Sequence, residues 1–147
     1  MSSRIKILEA EEILFRHVHP DRIDKGVPQS TVFAPMPKDE GHLSADSSAL
    51  TSAAGSHALF VANGFSSAAV YGLSCAQFGA ESVDCLYDPL EAGKGLKFAN
   101  PAHAIADYNP HSKSQWKNIA KRLKVLALKR GCLFPPQEQS SDVSSPG

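Results

Sequence analysis

The segment Arg16-His17-Val18-His19-Pro20 sets a guanidinium and two imidazoles within five residues. Pro28-Gln29-Ser30-Thr31 and Lys38-Asp39-Glu40-Gly41-His42-Leu43-Ser44 follow it closely. A guanidinium grips a phosphate or carboxylate through several N–H groups at once. Imidazoles orient ligands, carry protons or ligate metals. An arginine or histidine, a serine such as Ser44 and an anion-binding helix start together suit a nucleotide-like ligand.

These groups must be held by local structure. Ile13-Leu14-Phe15-Arg16-His17-Val18 is a short apolar run stopped by Pro20, and it reads as a strand. Alternate side chains on a strand share a face, so Arg16 belongs with Leu14 and Val18 while His17 and His19 point the other way. On a regular strand Arg16 and the histidines therefore serve different pockets. If Leu14 and Val18 face the core, Arg16 is a charge on an apolar face and needs a carboxylate or a bound anion. Asp39, Asp46 and Asp107 are the internal candidates.

Further along, Ser30–Phe33 reads as a second short strand closed by Pro35 and Pro37, and Leu43-Ser44-Ala45 as a third. Asp46, Ser47 and Ser48 are good N-cap residues for a helix over 48–62, ended by Asn63-Gly64. Its first amides, with Ser47, would then sit beside Ser44. Residues 68–73, 83–87 and 102–108 are strand-like, and the thirteen residues 88–100 form a loop long enough to be functional. The last helix is the clearest element. Ser112 and Gln115 make a capping box, Trp116, Ile119, Leu123 and Leu126 an apolar stripe, and Gly131 a stop. Residues 135–147 are rich in Ser, Pro and Gln and read as a disordered tail after one domain spanning 1–134.

The pattern implies an α+β fold, with five or six short strands in a mainly antiparallel sheet and two main helices. The expected core comprises Leu14, Phe15, Val18, Phe33, Leu50, Ala54, Val70, Leu73, Ile105, Trp116, Ile119 and Leu123. The 147 residues suffice for one such core. No run is apolar enough for a membrane helix, and the start of the chain, Met1 to Glu12, contains no apolar stretch of signal-peptide length, so a cytoplasmic protein is the expectation. Three cysteines without CxxC spacing argue against a disulfide framework or a zinc knuckle. The pair His17-x-His19 could join His42, His103 or Asp39 around a metal, but six scattered histidines produce one such pair by chance, and no metal is assigned. Ala92-Gly93-Lys94-Gly95 fails as a phosphate-binding loop because Asp88 and Gly95 replace residues that motif requires.

Arg16 on a first strand, Leu43-Ser44 ending a later one and an alanine-rich helix directly after that serine resemble small bacterial ADP-ribosyltransferase-type folds. In that superfamily a basic residue on the first strand and a hydroxyl residue on a later strand flank bound NAD. The resemblance covers the first half of the chain and implies an NAD-like ligand held by Arg16 and Ser44, with Asp107 as the nearest acidic residue by order. The glycine-rich context after the first strand is missing. Arg16–Pro20 together with Ser30–Phe33 and Lys38-Asp39 also resembles small bacterial proteins of unknown function, a likeness that implies no activity.

Charge supplies a second class of function. The net charge is zero, yet residues 112–130 carry seven Lys or Arg and no acid, while residues 1–111 carry eight against thirteen. Lys113, Lys117, Lys121 and Lys124 fall along one stripe of the last helix. Either the chain's own acidic body or an acidic partner should neutralise them. Nucleic acid is disfavoured, because the chain has no basic excess and the helix's single aromatic, Trp116, belongs to its apolar stripe. Two functions result. One is a non-enzymatic interaction module, such as an accessory or immunity-type component of a bacterial operon, docking a protein through its acidic body or the lysine stripe. The other is an NAD-like nucleotide binder or transferase that uses Arg16, His17 or His19, Ser44 and Ser47. The lack of a complete catalytic set favours the first, which needs no cofactor.

Overall fold

The computed structural model describes residues 4–136. Its strands are β1 (Ile5–Lys6), β2 (Ile13–Val18), β3 (Ile23–Asp24), β4 (Val27–Pro28), β5 (His42–Ser47), β6 (Ala69–Ser74), β7 (Asp84–Tyr87) and β8 (His103–Asp107); its helices are α1 (Ala53–Ala62), α2 (Cys75–Gly79) and α3 (Lys113–Arg130). Six strands form one antiparallel sheet in the order β1-β7-β8-β5-β2-β6, and β3 pairs with β4 as a separate hairpin. The α+β class expected from the pattern is the class observed. No helix among the described residues is long and apolar enough to cross a membrane.

Alternation along β2 decides what each face of the sheet buries. Leu14 and Val18 join Leu73, Leu43 and Tyr108 in the apolar core, where α3 contributes Ile119, Ala120, Leu123 and Ala127. The capping box is present as expected, with Ser112 Oγ accepting from the Gln115 amide and Gln115 Oε1 from the Ser112 amide. The opposite face carries His17 and Asp46, which meet α1. The first face is closed mainly by apolar side chains, whereas the second buries Asp46 and His103 beside the apolar Phe15, Val70 and Ile105.

Strand β2 is zipped unevenly. Against β6 it pairs over all six residues, from Ile13↔Ser74 to Val18↔Ala69. Against β5 only Leu14↔Ser47 and Phe15↔Asp46 pair. The next two rungs, Arg16 with Ala45 and His17 with Ser44, are absent, and the strands part there.

Several expectations need correction. Ser30–Phe33 is a 3₁₀ turn, not a strand: four residues between prolines close locally, with the Ala34 amide donating to Thr31 O, and tuck Val32 and Phe33 into the core. Helix α1 starts at Ala53 rather than near 48, capped by Ser52 accepting from the Gly55 amide at 3.0 Å. Asp46 and Ser47 instead continue β5, because both side chains find buried partners there. Of the expected core, Leu50 is exposed in the turn that precedes α1, and Ala54 is exposed in the first turn of α1, away from the buried Ser56. Trp116 is half-buried, its indole N–H donating to Tyr108 O at 2.8 Å and His111 O at 3.0 Å. Most of the proposed tail, residues 137–147, lies outside the described residues.

Candidate functional site

Where β2 and β5 separate, the sheet opens into a cleft of about 700 Å³. Arg16 and His17 from β2, Ser44 and Asp46 from β5 and His103 from β8 form its floor. Leu59, Phe60 and Asn63 at the end of α1, with Phe65, make one wall, and the 89–96 loop makes the other. The Asn63 side chain ties the walls together, donating to Phe98 O at 3.2 Å and accepting from the Phe98 amide at 2.8 Å. The volume lies within the usual range for small-molecule sites, roughly 300–1,000 Å³.

Arg16 occupies the gap left by the missing ladder. Its Nε donates to Val32 O at 2.7 Å and one terminal nitrogen to Ser44 O at 3.0 Å, so it satisfies two main-chain acceptors that no strand reaches. It forms no ion pair among the described residues. Burial first and the charge of Arg22 second pull its pKa from 12.5 down to about 10, against a smaller opposing pull from Asp39. The group stays cationic at neutral pH. Three of its five N–H bonds have no acceptor among the described residues. Arg16 thus faces the apolar core side, as alternation requires, yet lines the same cleft as His17. The expectation that the two serve separate pockets fails because β2 is not a regular ladder strand at this point.

His17 anchors a polar chain. Its Nε2 lies 2.8 Å from Ser56 Oγ, and Ser56 Oγ donates to Asp46 Oδ2 at 2.5 Å. The single hydroxyl proton goes to the carboxylate, so His17 Nε2–H donates to Ser56 and the Nδ1 lone pair remains. Asn100 Nδ2 donates to Asp46 Oδ1 at 2.8 Å. The imidazole stacks on Phe60, centroids 3.9 Å apart, and burial drives its pKa from 6.5 to about 4 despite nearby Asp46. His17 is neutral at physiological pH.

Ser44 is exposed in the cleft, with its Oγ 3.1 Å from His103 Nε2. It stands in the middle of β5 rather than at a strand end. Other expected site residues lie elsewhere. His19 is exposed past the end of β2, where its Nδ1 accepts from the Asp21 amide at 3.0 Å, so it forms no pair with His17. Ser47 is fully buried and donates to Glu12, which also accepts from Tyr87 at 2.7 Å; no ligand reaches it. Asp107 sits at the far end of β8 beside His42 and caps the Asn109 amide at 3.0 Å, so it does not meet Arg16 or Ser44. Among the described residues no group of three His, Cys, Asp or Glu converges as a metal-holding set.

Ser56 and Phe60 were not singled out from the sequence, and His103 entered there only as a possible metal ligand. The signal for two of them was present: Ser56, Phe60 and Asn63 stand at i, i+4 and i+7 and so share one face of α1. Distant from the cleft, Lys113, Lys117 and Lys121 are exposed on α3 and Lys124 is half-exposed; none forms an ion pair among the described residues, whereas Arg122 holds Glu81 at 2.7 Å. Comparison with protein-family models, curated proteins and solved structures finds no match.

Proposed function

We propose that the chain binds a nucleotide-like ligand, of the NAD class, in the cleft between β2 and β5. The observation that carries this reading is Arg16: a half-buried guanidinium with no ion-paired carboxylate among the described residues, opening on a cavity of ligand size. A bound phosphate would supply the missing charge. Phe60 and Phe65, 5.0 Å apart, offer ring surface for a base, and the Ser44 hydroxyl a bond to a sugar. This geometry moves preference from the docking reading to the binding reading. A cytoplasmic setting accompanies it, since Cys75, Cys85 and Cys132 are free thiols.

The test is thermal melting with NAD, ADP-ribose, AMP and inorganic phosphate. A ligand at 100 times its dissociation constant adds about 2.7 kcal/mol and raises the melting temperature by several degrees. Arg16→Gln should abolish that rise, and no stabilisation of the wild type by any of these ligands removes the reading.

A second reading, docking of an acidic protein partner on α3, is supported by the four lysines that the acidic body does not neutralise. Replacing Lys113, Lys117, Lys121 and Lys124 by serine should then abolish co-purification of a specific partner from the native cell. Recovery of the same partner with this variant removes the docking reading.

A further inference from the structure

Ser44 and His103 are diagonal neighbours on one face of the sheet, because β5 and β8 pair in the register Asp46↔His103 and Ser44↔Ile105. Behind His103 stands Asp88, just past β7, fixed by its own amide donating to His103 O at 2.8 Å. His103 Nδ1 lies 2.9 Å from Asp88 O and 3.2 Å from Asp88 Oδ2. Both are acceptors, so Nδ1 carries the ring proton and Nε2 carries the lone pair. The Ser44 hydroxyl therefore donates to His103 Nε2 at 3.1 Å. Arg4 Nε, 3.0 Å from Asp88 Oδ1, holds the carboxylate from its other side.

Asp88, His103 and Ser44 form an unbroken line from a carboxylate to an exposed hydroxyl, and that hydroxyl ends in the cleft. Ligand binding alone needs only the hydroxyl. A histidine with a merely structural role would be satisfied by the Asp88 carbonyl. The added carboxylate stands where a positive charge formed on the ring would be balanced, which is the arrangement of an activated nucleophile. Arg16, bonded to the carbonyl of Ser44 itself, brings its unengaged N–H bonds beside the same residue.

The geometry points to Ser44 as a catalytic nucleophile in the hydrolysis of an acyl ester of an anionic alcohol. Ser44 Oγ attacks the ester carbonyl carbon as its proton passes to His103 Nε2, and the oxyanion that forms meets Arg16. The bond to the leaving oxygen breaks, and that oxygen takes the proton from His103. Water then attacks the acyl-Ser44 ester, giving its proton to His103. Loss of the carboxylic acid returns that proton to Ser44. Asp88 is a positioning residue. The anionic part of the substrate rests on the binding reading; the nucleophile does not.

The experiment treats the full chain with a fluorophosphonate probe, locates the label by mass spectrometry, and follows p-nitrophenyl acetate for a burst of one p-nitrophenol per chain. The label is expected on Ser44. It should vanish in Ser44→Ala and slow by about 100-fold or more in His103→Gln. Asp88→Asn should slow it and Asp88→Glu should recover part of the rate, both at the wild-type melting temperature. No label on the wild type, a label on another residue, or labelling of Ser44 unchanged in His103→Gln overturns the proposal. Nucleotide-induced melting shifts are read separately: a shift without labelling leaves the binding reading and ends this one, and labelling without a shift does the reverse.

Discussion

Helices α1 and α3 cover opposite faces of one sheet and do so by opposite means. Over 18 residues α3 buries Ile119, Ala120, Leu123 and Ala127 against β6 and the Ser30–Phe33 turn. Over ten residues α1 buries only Ser56. It is held instead by a hydroxyl between His17 and Asp46, by the stack of His17 on Phe60, and by the contact of His57 with Phe134. An apolar face gains stability with every square ångström removed from water, whereas a buried polar face only breaks even when each group finds a partner. The α3 side is built to stay shut. The α1 side holds chemistry in place at little net gain, which is where a cleft can exist.

Three measurements sharpen or break that contrast. Leu123→Ala removes a fully buried side chain from the α3 face and should cost about 2–5 kcal/mol in denaturant unfolding, the largest of these effects. A loss below about 1 kcal/mol would mean that α3 is not the foundation.

On the α1 face stability should depend on acid. The folded-state pKa of His17 lies near 4, below its unfolded value of 6.5, so the unfolded chain binds the extra proton between these limits. The contribution of neutral His17 is complete above pH 6.5 and is lost as pH falls toward 4, by about 3 kcal/mol over the whole window. His17→Phe keeps a ring against Phe60 and removes the titration. Urea midpoints of the two proteins should diverge between pH 5 and pH 7, and a constant difference between them contradicts the burial of His17.

Ser56→Ala should cost about 1–3 kcal/mol, since it leaves His17 Nε2–H and Asp46 Oδ2 facing each other across a gap without the hydroxyl between them. A variant as stable as the wild type, with nucleotide-induced melting shifts intact, would show that the polar chain holds nothing together.

Elements whose formation depends on near neighbours were legible in the chain. Strand β2 and helix α3 sit where alternation, Pro20, Ser112 and Gly131 place them, because those signals act within a few residues. Asp46 and Ser47 misled for the same reason: as residue types they make good caps, but Ser56, Asn100 and Glu12, distant in sequence, recruit their side chains into β5. The site was legible only in pieces. Arg16 and Ser44 stood out, whereas Asp88 and His103 acquire a role only from the β5/β8 register and the β7/β8 pairing.

By itself the sequence determined the fold class, the apolar stripe of α3 and the awkward charge at Arg16, all matters of residue type and period. The parting of β2 from β5 was decided by tertiary structure alone, and with it the meeting of Arg16, His17 and Ser44 in one cleft. A missing rung in a sheet leaves no local mark on either strand. In its place the Arg16 guanidinium bonds to Val32 O and Ser44 O, acceptors that only the assembled fold brings within its reach.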